Sequence, residues 1–194
     1  MKKLLTIALF TGTLFAGQSF KGSLIDEYIV KARSEMPKQR FENEYRLLIR
    51  DQNFKEAKGI ETGKERATIG GKQSVLAPYD KVIEELYQAR KSSGSVLASY
   101  IALEIGQHIW LMRNGELNDK YLKELTNDLY KHRYCRGYLQ QGIFLWGSEN
   151  REKAIEVMKE GVKNCKDPYL NSQLKLKSGK YQYLIKKSTG KEKR

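Results

Sequence analysis

Two cysteines are the residues whose chemistry and spacing are most informative in this chain. Cys135 and Cys165 are the only cysteines among its 194 residues, and they lie on either side of a predicted turn at Ser148–Asn150. In an antiparallel helical hairpin, at a rise of about 1.5 Å per residue, the positions of the two cysteines along the hairpin axis would differ by only about 3 Å. We therefore expect a disulfide in an exported chain, with two buried, unpaired thiols as the alternative. Without a C-x-x-C motif, thiol–disulfide catalysis is not predicted.

Other residue types that support catalysis or metal binding are sparse. Glu104 and His108 are one helical turn apart and could supply two metal ligands, but His132 is the only other histidine and no acidic cluster accompanies them. The sequence has no G-x-S-x-G motif and no glycine-rich phosphate loop. We therefore predict no catalytic residues, no metal site and no cofactor. An enzyme acting on cell-wall polymer needs one glutamate in a cleft, and it is kept as a hypothesis.

The first nineteen residues have the pattern of an export signal. Met1 is followed by two lysines, an apolar run of about thirteen residues covers Leu4–Ala16, and small residues occur in Gly17–Ser19. A bilayer span needs about twenty apolar residues, so this run is too short to serve as an anchor. We expect a cleaved signal peptide over residues 1–19, a periplasmic or secreted bacterial protein, and no transmembrane segment after cleavage.

The composition of the remaining chain predicts an all-α protein. Only three prolines occur, strong helix formers are abundant, and alternating β-branched runs are nearly missing. We predict short helices and a glycine-containing loop over residues 20–74, a helical-repeat domain over 75–190 and a basic tail over 191–194. The loop, at residues 51–74, would be either mobile or a binding element. The apolar segment Val96–Met112 is predicted to be the central helix.

One segment of the repeat domain carries a recognisable pattern. Gly142 would let two helices approach closely opposite the small Ala154, while bulky side chains fill the remaining groove. The pattern over residues 138–168 consists of six residues in a fixed order: Tyr138, Gly142, Leu145, Ala154, Met158 and Pro168. This order resembles the tetratricopeptide repeat and the related Sel1-like repeat. The resemblance implies antiparallel helix pairs stacked as a short tetratricopeptide-like α-solenoid, whose concave face binds peptides or proteins.

The net charge of +13 is concentrated near the C-terminus. Residues 163–194 hold ten basic and two acidic side chains, whereas residues 20–162 are nearly balanced, with 24 basic and 21 acidic. This excess is either a solvated lysine face or a docking surface for an anionic partner, such as an acidic protein, lipid headgroups or a cell-wall polymer. Nucleic acid is not expected for an exported chain. The candidate docking residues are Lys175, Lys177, Lys180, Lys186 and Lys187.

These patterns together favour a function in binding. We expect an exported, non-enzymatic binding module or adaptor of helical-repeat type that holds a protein or peptide partner. The alternative, from a different class, is a basic periplasmic holdase chaperone or envelope-surface binder that engages unfolded or anionic clients without sequence preference.

Overall fold

The computed structural model describes residues 23–62, 72–112 and 119–188, and in these ranges it contains helices and short turns but no strand. The predicted all-α fold is confirmed. The predicted signal peptide and basic tail lie outside the described residues. No helix in the described part of the chain is long and apolar enough to cross a membrane. The helices are α1 Leu24–Glu35, α2 Lys38–Leu48, α3 Gln52–Thr62, α4 Lys72–Ser93, α5 Val96–Met112, α6 Asp119–Lys131, α7 Cys135–Gly147, α8 Arg151–Asn164 and α9 Pro168–Ser188.

The described residues form two compact units that divide between Leu129 and Tyr130. We call them the N-terminal unit, with α1–α5 and most of α6, and the C-terminal unit, with α7–α9. Consecutive helices pack as pairs in both: α3 with α4 and α4 with α5 in the first, α7 with α8 and α8 with α9 in the second. This pairwise packing is the arrangement that the predicted helical stack requires.

Helix α5 is the core of the N-terminal unit. Every residue of Val96–Gly106 is buried, and α1, α2 and α4 all pack against it. A helix that is apolar on all sides is stable in water only when neighbouring helices surround it. The prediction of a central helix at Val96–Met112 is therefore confirmed.

The prediction of a loop over residues 51–74 is wrong for Gln52–Thr62, where the chain forms helix α3. Phe54, Ala57 and Glu61 recur at helical spacing and are buried, and α3 packs along α4. The Asp51 carboxylate accepts a hydrogen bond from the backbone N–H of Phe54 at 3.2 Å, which caps the helix start. This tertiary packing outweighs the helix-weakening effect of an interior glycine, Gly59. Residues 63–71 lie outside the described ranges, and α4 begins at Lys72, before the predicted domain boundary at residue 75.

Two helices of the N-terminal unit begin at carboxylates supplied by other helices. Glu61 of α3 accepts hydrogen bonds from the Ser23 hydroxyl and from the backbone N–H of Leu24, the latter at 2.5 Å, at the start of α1. Glu44 of α2 accepts one from the backbone N–H of Val96 at 2.6 Å, at the start of α5. The first N–H groups of a helix lack partners within it and carry partial positive charge, so both carboxylates stabilise helix ends while linking distant parts of the chain.

The C-terminal unit is a hairpin of α7 and α8 with α9 packed against it. The turn between α7 and α8 contains Glu149, whose φ of 65° lies in the left-handed region. Asp167 accepts hydrogen bonds from the backbone N–H of Tyr169 at 2.8 Å and of Leu170 at 3.1 Å, and so caps α9. One buried cluster joins the three helices, and its members are Tyr138, Leu139, Val157, Met158, Cys165 and Leu170.

Candidate functional site

Cys135 and Cys165 lie at disulfide distance, with their Cα atoms 5.6 Å apart. That separation is within the range that a disulfide requires, so the geometry agrees with the predicted pairing. Cys135 is the first residue of α7 and Cys165 follows α8 directly, so the pair joins the two helices at the end opposite their turn. Since Cys165 is buried in the core cluster, the bridge is part of the hairpin's packing.

Five of the six predicted repeat residues belong to α7 and α8, and the sixth, Pro168, lies at the start of α9. Tyr138, Ala154 and Met158 are fully buried, and Leu145 packs against the same core. A Cβ atom added at Gly142 would lie 2.6 Å from Cγ of Met158 and 3.4 Å from the carbonyl oxygen of Ala154. Ordinary carbon contacts are about 3.5–4.0 Å, so a side chain at residue 142 would have to displace the Met158 side chain that packs over the glycine.

A second close approach, at Gly161 of α8, was missed by the sequence analysis. A Cβ atom there would lie 2.6 Å from Cβ of Tyr138 and 2.8 Å from Cδ2 of Leu170. Gly161 therefore sits where α7 and α9 both meet α8. The available signal was a glycine inside an otherwise regular amphipathic helix, which often has a packing reason.

The hydroxyl of buried Tyr138 is held at the rim of this core. It donates a hydrogen bond to Oε1 of Glu160 at 3.2 Å and accepts one from Nδ2 of Asn164 at 3.2 Å. The ring of Tyr130 meets the Tyr138 ring edge-on, with centroids 5.4 Å apart. Burial, followed by the negative charge of Glu160, raises the pKa of both tyrosines, so the hydroxyls stay protonated at neutral pH. This network is suited to fixing α7 against α8.

A row of three polar contacts joins α1 to α5 in the N-terminal unit. The donors and acceptors are spaced by about one helical turn along each helix, so successive contacts lie one above the next. Each contact pairs one residue of α1 with one of α5: Tyr28 Oη with His108 Nδ1 at 3.1 Å, Lys31 Nζ with Glu104 Oε2 at 2.8 Å, and Glu35 Oε2 with Tyr100 Oη at 2.7 Å.

These contacts account for the Glu104 and His108 pair that the sequence analysis weighed as two metal ligands. Glu104 faces the Lys31 ammonium and His108 faces the Tyr28 hydroxyl. Burial lowers the pKa of His108 against the opposing effect of Glu27 and Glu104. Among the residues that the structure describes, no three His, Cys, Asp or Glu side chains are grouped to hold a metal ion. The arrangement therefore acts as an interhelical contact.

The side of α9 that faces away from α8 carries the exposed residues Lys175, Leu176, Lys180 and Tyr183, and we call it the outer face. Leu176 is 49% exposed and Tyr183 is 54% exposed, which is unusual for large side chains of these types. Helix α9 contains five lysines and no acidic residue. No salt bridge between described residues involves a lysine of α9. Lys186 and Lys187 belong to its last turn, and their side chains lie outside the described residues.

Lys177 differs from Lys175 and Lys180 because it is half-buried and packs against Trp146. Its ammonium lies 4.9 Å from the centroid of the Trp146 ring, and the Arg151 guanidinium lies 5.8 Å from the same centroid. A cation over an indole face is attracted by the ring's quadrupole, so the contact fixes α9 to the end of α7. Burial, together with the nearby Lys180, lowers the pKa of Lys177. Of the three docking candidates whose side chains the structure describes, Lys175 and Lys180 are the exposed ones.

Comparison with known proteins found no significant similarity. No family model matches the chain, and no characterised protein or solved structure is significantly similar to it.

Proposed function

We propose that this protein is an exported, non-enzymatic binding module whose C-terminal unit holds a protein partner on the outer face of α9. The observation that carries the proposal is the exposure of Leu176 and Tyr183 between lysines that form no salt bridge with described residues. Apolar and tyrosine side chains supply contact area in protein interfaces, and lysines beside them attract an acidic partner from a distance.

The C-terminal unit presents this face on a rigid support. The inner side of α9 is held by buried Leu170, by half-buried Leu174 and by the contact of Lys177 with Trp146. Cys135 and Cys165 join the hairpin beneath it, and Gly142 and Gly161 bring its helices into close contact. A surface that is already ordered loses less conformational entropy on binding, so more of its contact energy appears as affinity.

Two features of the sequence support the same proposal. The pattern over residues 138–168 resembles tetratricopeptide and Sel1-like repeats, which bind peptides and proteins, and residues 1–19 resemble an export signal. Both agree with an adaptor that works outside the cytoplasm.

A basic holdase or envelope-surface binder is the second candidate, and the five lysines of α9 without an acidic residue favour it. Such a protein would bind many unfolded or anionic clients through charge alone. The two candidates differ in selectivity: an adaptor recovers one or a few folded partners, whereas a holdase suppresses aggregation of unrelated unfolded proteins.

The test is affinity capture from an envelope extract of the source cells at low and at moderate salt. We expect a small, reproducible set of proteins at both salt concentrations, because apolar contacts at Leu176 and Tyr183 persist when charges are screened. Recovery of no specific protein at either concentration would contradict the adaptor. Suppression of aggregation of unrelated unfolded proteins, together with indiscriminate capture lost at moderate salt, would support the holdase instead.

A further inference from the structure

We infer that the outer face of α9 binds an acidic amphipathic helix of the partner, packed lengthwise along α9. This inference rests on the proposed function and adds the chemical class of the partner segment. Its basis is the joint placement, on one helix face, of apolar side chains, a glycine and lysines that form no salt bridge with a described residue.

The first step is the shape of the outer face. Leu176 and Tyr183 are seven residues apart, which corresponds to two helical turns and about 10 Å along the axis. Gly179 lies between them, and a Cβ atom added there would meet nothing within 4 Å. Two exposed side chains with a bare position between them form a notch on the helix surface. Helices pack by placing the side chains of one into such gaps on the other, so the notch fits an apolar side chain of a second helix.

The second step is the position of the charges. At about 100° per residue, Lys175 and Lys180 fall on opposite flanks of the line through Leu176, Gly179 and Tyr183. Both lysines are exposed, and neither forms a salt bridge with a described residue. A helix seated in the notch would therefore meet positive charge on both sides of its apolar stripe. The complementary segment carries glutamate or aspartate on both flanks of its own apolar residues.

The third step separates this partner from other occupants of the face. A second copy of α9 would bring lysines against lysines, and like charges in an interface oppose association. A lipid surface is matched less well, because helices that lie in a membrane bury a broad apolar face, whereas here Leu176 and Tyr183 are the only large apolar side chains exposed on the described part of α9. An acidic helix uses the apolar pair and both lysines together.

The experiment places a photoreactive residue on the outer face. p-Benzoylphenylalanine replaces Tyr183 in the full chain, and in a control chain it replaces Lys159, an exposed residue of α8. Each protein is irradiated in envelope extract, and cross-linked peptides are mapped by mass spectrometry. We expect position 183, and not position 159, to capture a protein segment that is rich in Glu and Asp and has apolar residues at helical spacing.

A synthetic copy of the captured segment then tests the mode of binding. We expect it to gain helix content on binding, and we expect Leu176→Ser/Tyr183→Ser and Lys175→Glu/Lys180→Glu each to weaken its affinity at least tenfold. Lys153→Glu/Lys159→Glu, which changes two exposed lysines of α8, is the matched control and should change affinity less than threefold. Circular dichroism of each free variant confirms that it is folded.

Four results would overturn the inference. Capture of a segment without excess acidic residues, or one that binds without forming a helix, contradicts the acidic helix while leaving the binding function in place. Capture of lipid at position 183 contradicts a protein occupant of this face. Capture of no molecule at position 183, when affinity capture with the same extract does recover a specific partner, shows that the partner binds elsewhere.

Discussion

The Lys31 ammonium lies 2.8 Å from the Glu104 carboxylate and links α1 to the buried helix α5. The two side chains differ greatly in environment, since that of Glu104 is 4% exposed and that of Lys31 is 40% exposed. An ion pair between exposed groups contributes little, but a carboxylate that is already buried depends on its cation. The contact therefore matters chiefly because of Glu104.

We predict that Lys31→Met lowers the free energy of unfolding by about 1–3 kcal/mol, because it leaves the buried Glu104 carboxylate without this cation. Chemical denaturation of the single variants and of Lys31→Met/Glu104→Gln measures the effect. The double variant should be more stable than the sum of the single effects implies, by at least about 0.5 kcal/mol. Lys55→Met, at an exposed position of α3, is the control. Strict additivity would show that the two residues do not stabilise each other.

The glycines provide a test of the packing in the C-terminal unit. Gly161→Ala should destabilise the protein by about 1–3 kcal/mol, because the new methyl group would meet Cβ of Tyr138 and the side chain of Leu170. Gly142→Ala should cost less, since its nearest neighbour is the flexible side chain of Met158. Gly59→Ala, on an open side of α3, should instead stabilise by about 0.5–1 kcal/mol. Thermal and chemical unfolding measure the order of stability of the three variants. Equal effects of Gly59→Ala and Gly161→Ala would contradict the close contact of Gly161 with Tyr138 and Leu170.

The Cys135–Cys165 pair should be oxidised in protein isolated from its native compartment. We expect thiol titration under denaturing conditions to find no reactive thiol, and Cys135→Ser/Cys165→Ser to lose about 3–4 kcal/mol of stability, because the bridge closes a loop over a sequence separation of 30. A reducing agent should destabilise the natural chain and leave the double variant unchanged. Two reactive thiols per chain would contradict the bridge.

His108 should make stability depend on pH in mildly acidic solution. Burial holds the pKa of His108 in the folded protein below its ordinary value of 6.5. Below that pH the unfolded chain binds a proton at this histidine more readily than the folded chain does, so the free energy of unfolding falls as pH falls. His108→Gln should reduce this slope, and His132→Gln, at an exposed position, should retain it. Melting temperatures between pH 5 and pH 8 provide the measurement, and identical slopes for all three proteins would contradict the prediction.

Local patterns were sufficient to predict the cysteine geometry and most of the helices, with α3 as the exception. Val96–Met112 is the most apolar of the helices and carries few polar side chains, so its burial follows from its own residues. Ser148 and Asn150 flank the turn between α7 and α8, so the hairpin also follows from neighbouring residues. These features depend on contacts between residues that are close in the sequence.

The contacts that the sequence did not predict join residues that are far apart in the chain. Glu61 ends a glycine-containing segment, and only its hydrogen bonds to the start of α1, at sequence separations of 36 to 38, show why α3 buries it. Tyr28 and His108 are 80 residues apart, and Lys31 and Glu104 are 73. The pairing of Trp146 with Lys177 likewise requires α9 to be placed on the hairpin. No local periodicity indicates which distant side chain will be the partner.

The central claim, that the outer face of α9 holds a protein partner, is tested most directly by comparing captured partners between two matched variants. Leu176→Ser/Tyr183→Ser changes the outer face, and Lys153→Glu/Lys159→Glu, at two exposed positions of α8, serves as the control. Both proteins and the natural chain are used for quantitative affinity capture from the same envelope extract. We predict that the control retains the partners of the natural chain and that the outer-face variant loses them by at least tenfold. Equal recovery by all three folded proteins would contradict the account.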